Sequence, residues 1–339
     1  MMMITDAIQK LIDRVDLTET EARSVMDFIM TGQASDAQIA AFLTALRMKG
    51  ETPQELIGFA RVMREKAEPF WDGDVLPVLD TCGTGGDKSG SFNISTASAF
   101  VVAGAGIRVA KHGNRSISSK CGSADVMEAL SVDIQMPIER LRQAIRDVRI
   151  GFLFAPRFHS SMKHVMPARS QLKVRTVFNI LGPLSNPARA RYQVVGVFSP
   201  NVMELMANAL EGLGLDHAFV VHGNDGVDEI SISAKTQLIE VRRGEMKSSS
   251  ISPEDFDMAP ATSDSIRGGD AAANAVIIEG VLRGDHGPRR DVVLLNAAAA
   301  IVAGGAATTF KESLRIAMQS IDSGAAIKAL SGLREMSAK

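Results

Sequence analysis

The run Val75-Leu76-Pro77-Val78-Leu79-Asp80 leads into Thr81-Cys82-Gly83-Thr84-Gly85-Gly86-Asp87-Lys88-Ser89-Gly90-Ser91-Phe92-Asn93-Ile94-Ser95-Thr96, and this stretch decides the fold. A short apolar segment reads as a strand, and the glycine cluster after it as a loop. The next residues read as a helix, capped by Ser95 or Thr96 and running to about Ala105. Downstream, Ile107–Ala110, Gly151–Ala155, Gln193–Phe198 and Ala218–His222 have the texture of short strands. Helices over Ala124–Leu130, Pro137–Val148 and Val202–Leu213 separate them. Strands alternating with helices predict an α/β fold with a central, largely parallel sheet. Ile239–Arg242 and Met246–Ile251 suggest a hairpin, and the alanine-rich C-terminal part reads as packed helices.

Upstream of Val75 the pattern is helical. Ile4, Ile8, Leu11, Ile12 and Val15 form one apolar stripe. Thr18-x-x-Glu21 and Ser35-x-x-Gln38 are capping boxes, and Thr52-Pro53-Gln54-Glu55 places a cap ahead of a first-turn proline. Four helices with short joints predict a small N-terminal helical domain over residues 1–71, followed by a larger α/β domain over 72–339. Met and Phe on these stripes are core residues by their period.

A chain of 339 residues fits two domains. Its 37 Lys+Arg and 39 Asp+Glu give a net charge of −2, which offers nucleic acid or an anionic membrane no general attraction. Aromatics at 5% leave few platforms for stacking bases. The start carries no secretory pattern, and the apolar stretches Ala99–Ile107 and Ala297–Ala307 are too short to span a bilayer. Cys82 and Cys121 form neither a disulfide framework nor a metal-ligand spacing, so a cytoplasmic location is expected. Cys82 has no identifiable base beside it and reads as a packing residue.

Three loops follow strands, where open α/β sheets bind ligands. The first, Thr81–Phe92, gathers glycines whose N–H groups can form an anion-binding concavity at a helix N-terminus. It has neither the Walker order nor the dinucleotide fingerprint. The second, Lys111–Ser123, mixes cations, hydroxyls and an Asn and suits an anionic, hydroxyl-bearing ligand. The third, His222–Ser231, carries the adjacent carboxylates Asp228 and Glu229, a donor set for Mg²⁺ bound together with phosphates. A fourth stretch, Phe154–Pro187, offers Arg169 for a carboxylate, and His159 and His164 at a spacing poor for metal ligation.

In order along nearly the whole chain lie GTGGD (Gly83–Asp87), NIST (Asn93–Thr96), KHGNRS (Lys111–Ser116) and GSADV (Gly122–Val126). They are followed by H-x-x-M-K-x-V-x-P-x-R (His159–Arg169), RTVFNILGPLSNPA (Arg175–Ala188) and Asp228-Glu229. Together these resemble the anthranilate phosphoribosyltransferases of tryptophan biosynthesis. The resemblance implies a helical domain completed by helices around residues 165–185, and transfer of the phosphoribosyl group of 5-phosphoribosyl 1-diphosphate to anthranilate. It implies that the donor is bound by Gly83, Gly86, Asp87, Ser91, Asn93, Ile94, Ser95 and Thr96. From the other side the donor would meet Lys111, His112, Gly113, Asn114, Arg115, Ser116, Ile117, Ser118, Ser119 and Ser123. Gly83, Asn114 and Arg169 would contact anthranilate, while Ser95, Asp228 and Glu229 would hold magnesium, two Mg²⁺ ions per site. A homodimer through the helical domain is expected. His112 and His159 are the candidates for a general base, and neither is assigned. A pyrimidine nucleoside phosphorylase on the same general fold is disfavoured by Asn114, Arg169 and the acidic pair. A nucleic-acid-binding relative is disfavoured by the net charge.

Overall fold

The computed structural model describes residues 3–87, 89–116 and 120–338. Its first four helices are α1 (Ile4–Ile12), α2 (Glu19–Met30), α3 (Asp36–Lys49) and α4 (Pro53–Lys66). Thr18, Ser35 and Thr52 each close a reciprocal capping box with Glu21, Gln38 and Glu55, which satisfies N–H groups that a helix start leaves open.

The α/β part runs β1 (Leu79–Gly83), α5 (Ile94–Gly104), β2 (Val109–Gly113), α6 (Ser123–Ala129), α7 (Ile138–Asp147) and β3 (Ile150–Phe154). After β3 come the short helices α8 (Ala155–Phe158), α9 (Met166–Leu172) and α10 (Phe178–Leu181). Then follow β4 (Tyr192–Gly196), α11 (Met203–Gly212), β5 (His217–Gly223), β6 (Thr236–Arg242) and β7 (Glu245–Ile251). Four helices end the chain: α12 (Ala271–Arg283), α13 (Pro288–Ala303), α14 (Phe310–Asp322) and α15 (Ala325–Ala338).

The sheet order is β3-β2-β1-β4-β5-β6-β7, parallel from β3 to β5 and closed by the antiparallel β6 and β7. From β1 the order runs outward both ways, so the crevice between β1 and β4 is a topological switch point. Alternate residues of the central strands serve two cores. Val194, Phe219, Val221 and Leu238 face a core built with α5 and α12–α15. Val195, Ala218, Val220 and Ile239 face a second core, shared with α1–α4, α11 and the segment Val165–Leu184.

Three local expectations are corrected. The apolar run from Val75 becomes strand only at Leu79, because pairing with β4 begins at Leu79 opposite Tyr192. The following helix starts at Ile94 rather than after a Ser95 or Thr96 cap. Asn93 holds the N-cap position and sends its side chain elsewhere, to Cys121 and Asn274. The strand expected at Ile107–Ala110 lies at Val109–Gly113, so Lys111, His112 and Gly113 are strand residues rather than loop residues.

Candidate active site

At the switch point Gly83, the last residue of β1, pairs with Gly196, the last of β4. The loop after β5 folds over this pair. A Cβ on Gly83 would lie 2.5 Å from Asp228 Oδ2, and one on Gly196 would lie 1.5 Å from the Asp228 carbonyl oxygen. Both positions are glycine because the Asp228 backbone and carboxylate occupy the space a side chain would need. Asn296 of α13 fixes that loop from beneath. Its Oδ1 accepts the Ile230 N–H and its Nδ2 donates to the Ile230 carbonyl, both at 2.9 Å.

The glycine loop and the acidic pair touch directly. Gly85 N–H donates to Asp228 Oδ2 at 2.7 Å, and Ser95 N–H, in the first turn of α5, donates to Glu229 Oε1 at 3.1 Å. Asp228 N–H lies 3.5 Å from Asp87 Oδ2, so three carboxylates converge here. Burial, then repulsion from Asp87, pushes the Asp228 carboxyl up to about 7. Burial, then repulsion from Asp228, raises Glu229 as well. In this half-buried acidic cluster Lys111 offsets part of the charge at Glu229, and a divalent cation would supply more. No group of three or more His, Cys, Asp or Glu side chains closes into a metal cage among the described residues. The donors therefore fit Mg²⁺ better than a cage-bound metal, since Mg²⁺ keeps waters and takes phosphate oxygens alongside one or two carboxylates.

Lys111 is the resident cation. It is buried, and its ammonium donates to the Thr81 carbonyl and to Ser95 Oγ at 3.3 Å. Burial lowers its pKa, while Asp80, Cys82 and Glu229 oppose that shift. Strand placement thus aims Lys111 beneath the glycine loop, at the start of α5. Beside it, Asp80 accepts the His112 N–H at 3.2 Å and Asn186 Nδ2 at 2.8 Å, and Asn186 also donates to the Ala110 carbonyl at 2.9 Å. Burial raises the Asp80 carboxyl to about 6, with Lys111 working against it.

The glycine loop is also held from its outer side. Arg175 donates to the Gly86 carbonyl and stacks on the Phe198 ring, 4.1 Å from its centroid. Gly86 has φ +75°, and a Cβ there would meet Arg175 at 2.7 Å. Ser91 Oγ accepts from Ser89 Oγ at 3.1 Å. Thr96 Oγ1 is buried without a hydrogen-bond partner among the described residues. Ile94 packs into the core beneath the loop.

Asp125 of α6 governs the second loop. Its Oδ2 accepts the N–H groups of Ser116 (3.0 Å) and Gly122 (2.8 Å), closing the loop at both ends. Ser123 Oγ donates to the Asn114 carbonyl at 3.3 Å, and Asn114 itself is exposed. Arg115 forms ion pairs with Asp125 at 3.0 Å and Glu128 at 2.6 Å. Its charge is thus already matched on the protein. Ile117, Ser118 and Ser119 lie outside the described residues.

His112 and His159 face each other with ring centroids 5.3 Å apart. Burial and the neighbouring His159 lower His112 to about 3, and burial lowers His159 to about 4. Backbone at Gly182 and Ser185 offsets this only in part. Both imidazoles are neutral at pH 7. His112 Nε2 and both His159 ring nitrogens have no hydrogen-bond partner among the described residues. Arg169, on α9, sits over the Phe178 ring at 5.3 Å. Among the described residues it carries no ion pair, and no hydrogen bond joins it to Gly83 or Asn114. Cys82 accepts from Gln193 Nε2 at 3.1 Å, and burial raises its thiol well above the usual range, which makes it inert.

The sequence reading missed Asp80, Asn186, Asp125, Arg175 and Asn296. Asn186 and Arg175 stand in the RTVFNILGPLSNPA segment and Asp125 in GSADV. Their roles rest on partners as far as 106 residues away, for Asn186 and Asp80.

Residues 5–67 match the family described as "Glycosyl transferase family, helical bundle domain", and residues 76–327 match "Glycosyl transferase family, a/b domain". The chain is 54% identical to the anthranilate phosphoribosyltransferase of Chloroflexus aggregans over 97% of each chain. It is 51% identical to that of Geobacter sulfurreducens over 98% of each. Among solved structures, the Thermus thermophilus anthranilate phosphoribosyltransferase superposes with a TM-score of 0.93 at 42% identity, covering 98% of this chain and 100% of that one. The Saccharomyces cerevisiae enzyme in complex with PRPP and Mg superposes at 0.90 and 27% identity, covering 99% and 98%.

Proposed function

The chain belongs to the anthranilate phosphoribosyltransferase family, and from that premise we infer how its cleft carries out the reaction. The enzyme transfers the phosphoribosyl group of 5-phosphoribosyl 1-diphosphate to the amine of anthranilate, giving N-(5-phosphoribosyl)anthranilate and diphosphate. The observation that carries the site assignment is the meeting of the glycine loop with the acidic pair at the β1/β4 switch point.

The diphosphate lies along Gly83, Gly86, Asp87, Ser91 and Asn93–Thr96, where loop N–H groups and the α5 N-terminus favour anionic charge. Asn114, Arg115, Ser116 and Ser123 close on the donor from the β2 side. Ser95, Asp228 and Glu229 hold magnesium, two ions per site, which neutralises charge building on the departing diphosphate. Lys111 keeps Ser95 and the Thr81 carbonyl in place beneath that site. Gly83, Asn114 and Arg169 position anthranilate, with the guanidinium of Arg169, in no ion pair among the described residues, taking its carboxylate. Holding the amine against C1 lowers the entropic part of the barrier. Because an arylamine is neutral at pH 7, no strong base is needed; His112 and His159, neutral and buried, pack the floor of the cleft.

The domain division falls at residues 71/72, with 165–185 returning to the helical core. The packing of Val165, Val177, Phe178 and Leu181 against that core supports this division. The apolar side chains Ile12, Val15 and Met48, exposed on the helical unit, support a homodimer through it. Two free cysteines among the described residues support a reducing cytoplasm. The test of the activity is a fluorescence assay of anthranilate consumption. Loss of signal that requires both the phosphoribosyl donor and Mg²⁺ upholds it; consumption without the donor, or none with both present, overturns it.

A further inference from the structure

At the other end of the sheet, where β4 and β5 begin, a cavity of about 420 Å³ opens between α4 and the turns that precede these strands. Four arginines line it: Arg61 and Arg64 of α4, and Arg189 and Arg191 ahead of β4. Two are already matched. Arg61 pairs with Glu19, and Arg191 with Asp216 at 2.6 Å. The one acid in the lining, Glu65, is taken by Arg23 at 2.9 Å.

Arg64 and Arg189 have no carboxylate partner among the described residues. Arg64 is half-buried, and its Nε donates to the Leu184 carbonyl at 2.7 Å, which leaves its two terminal nitrogens free of partners among the described residues. Burial, followed by the facing charges of Arg189 and Arg61, lowers it to about 10. Arg189 stands at φ +52°, a left-handed conformation that costs a non-glycine residue energy. Arg64 and Arg189 thus line one cavity despite their mutual repulsion, neither in an ion pair among the described residues, with Arg189 exposed at its mouth. Guanidinium forks match carboxylate and phosphoryl oxygens. Val75, Leu213 and Leu215 give the wall an apolar part.

We propose that this cavity binds a small organic oxyanion, its carboxylate or phosphoryl head between Arg64 and Arg189 and its apolar body against Val75, Leu213 and Leu215. The site spans the seam between α4 and the α/β domain. It lies at the opposite end of the strands from the phosphoribosyl cleft.

Two probes distinguish the head groups: 4-bromobenzoate and 4-bromophenyl phosphate. Bromine anomalous scattering from soaked crystals locates each one. Affinity is read by calorimetric titration with anthranilate, diphosphate and Mg²⁺ at saturation, so that the other cleft is filled. The expected result is bromine density in the cavity for at least one probe, and solution binding weakened about tenfold by Arg189→Gln and by Arg64→Gln. Arg189→Gln is the decisive variant, because its side chain has no partner among the described residues whose loss could disturb folding. Its kcat and KM should match the wild type. Binding of the benzoate alone assigns a carboxylate head, and of the phosphate ester alone a phosphoryl head. No density in the cavity for either probe overturns the proposal. So does density accompanied by a solution affinity that Arg189→Gln leaves unchanged, which is binding at crystal concentration only.

Discussion

The backbone N–H of Gly85 donates to the carboxylate of Asp228 at 2.7 Å, joining loops 143 residues apart in sequence. Asp228 thus holds a glycine turn in place while facing a second half-buried acid, Glu229. A bound cation removes repulsion that the carboxylates otherwise exert on one another.

Asp228→Asn keeps the size of the side chain and removes one charge of the cluster. It should raise the Mg²⁺ concentration needed for half-maximal rate by about tenfold or more, without lowering the thermal midpoint of the metal-free protein. A magnesium titration of the rate and a melting curve on one preparation test both. An unchanged magnesium response rules out Asp228 as a ligand.

The same pair makes a pH prediction. The Asp228 carboxyl lies at about 7 when folded against 3.8 when free, so the folded chain holds a proton that the unfolded chain has lost. The stabilising contribution is therefore complete below about pH 4 and is lost as pH rises through about 7. Without Mg²⁺, the stability of Asp228→Asn relative to wild type should grow between pH 5 and 8, and saturating Mg²⁺ should shrink that gap. Denaturant melts at several pH values read it directly.

The histidine pair titrates in the opposite sense. His159 is lowered from 6.5 to about 4, so stability is lost as pH falls from 6.5 through 4, when the unfolded chain takes up protons that the folded one refuses. His159→Gln should flatten that acid limb. It should also leave the chemical step within about tenfold of wild type, since an unneeded general base contributes less than the usual 10²–10⁴. A loss of several orders of magnitude in single-turnover rate, with both substrate affinities intact, would make His159 the base after all.

Arg169→Ala should raise the KM for anthranilate by about 10- to 100-fold, the worth of a charge-assisted hydrogen bond. Aniline, which lacks the carboxylate, should lose little. Equal losses for the two acceptors would place Arg169 elsewhere than on that carboxylate.

Gly83→Ala places a methyl group 2.5 Å from Asp228 Oδ2. The loops must part, and a displacement near 1 Å should cost about 10²-fold in rate. Circular dichroism on the same sample separates this from unfolding.

Local signals carried the reading of the helices and the order of the strands. Thr18, Ser35 and Thr52 announce helix starts because a capping box is closed within four residues. Lys111 misleads because its sequence neighbours, Asn114 and Arg115, do belong to a polar loop. Only pairing of β2 with β3 draws it into the sheet and under the glycine turn. Arg115 reads as a free cation until α6 folds beside it and supplies Asp125 and Glu128. Asp80 reads as the end of a strand; its importance appears once Asn186, 106 positions later, reaches its carboxylate. Each miss is a partnership made by tertiary packing, which no local window contains.

The return of Val165–Leu184 to the core of the first four helices also sets a timetable for synthesis. Ribosomes add about 5–20 residues per second, so α4 leaves the tunnel roughly 7–29 s before α11, which also packs against it, is complete. Throughout that interval the earliest helices wait with an uncovered greasy flank, and the nascent chain is then most in need of a chaperone. Slowing translation after residue 67 should therefore harm the yield of folded enzyme more than the same delay placed after residue 212, as the soluble fraction on expression would read.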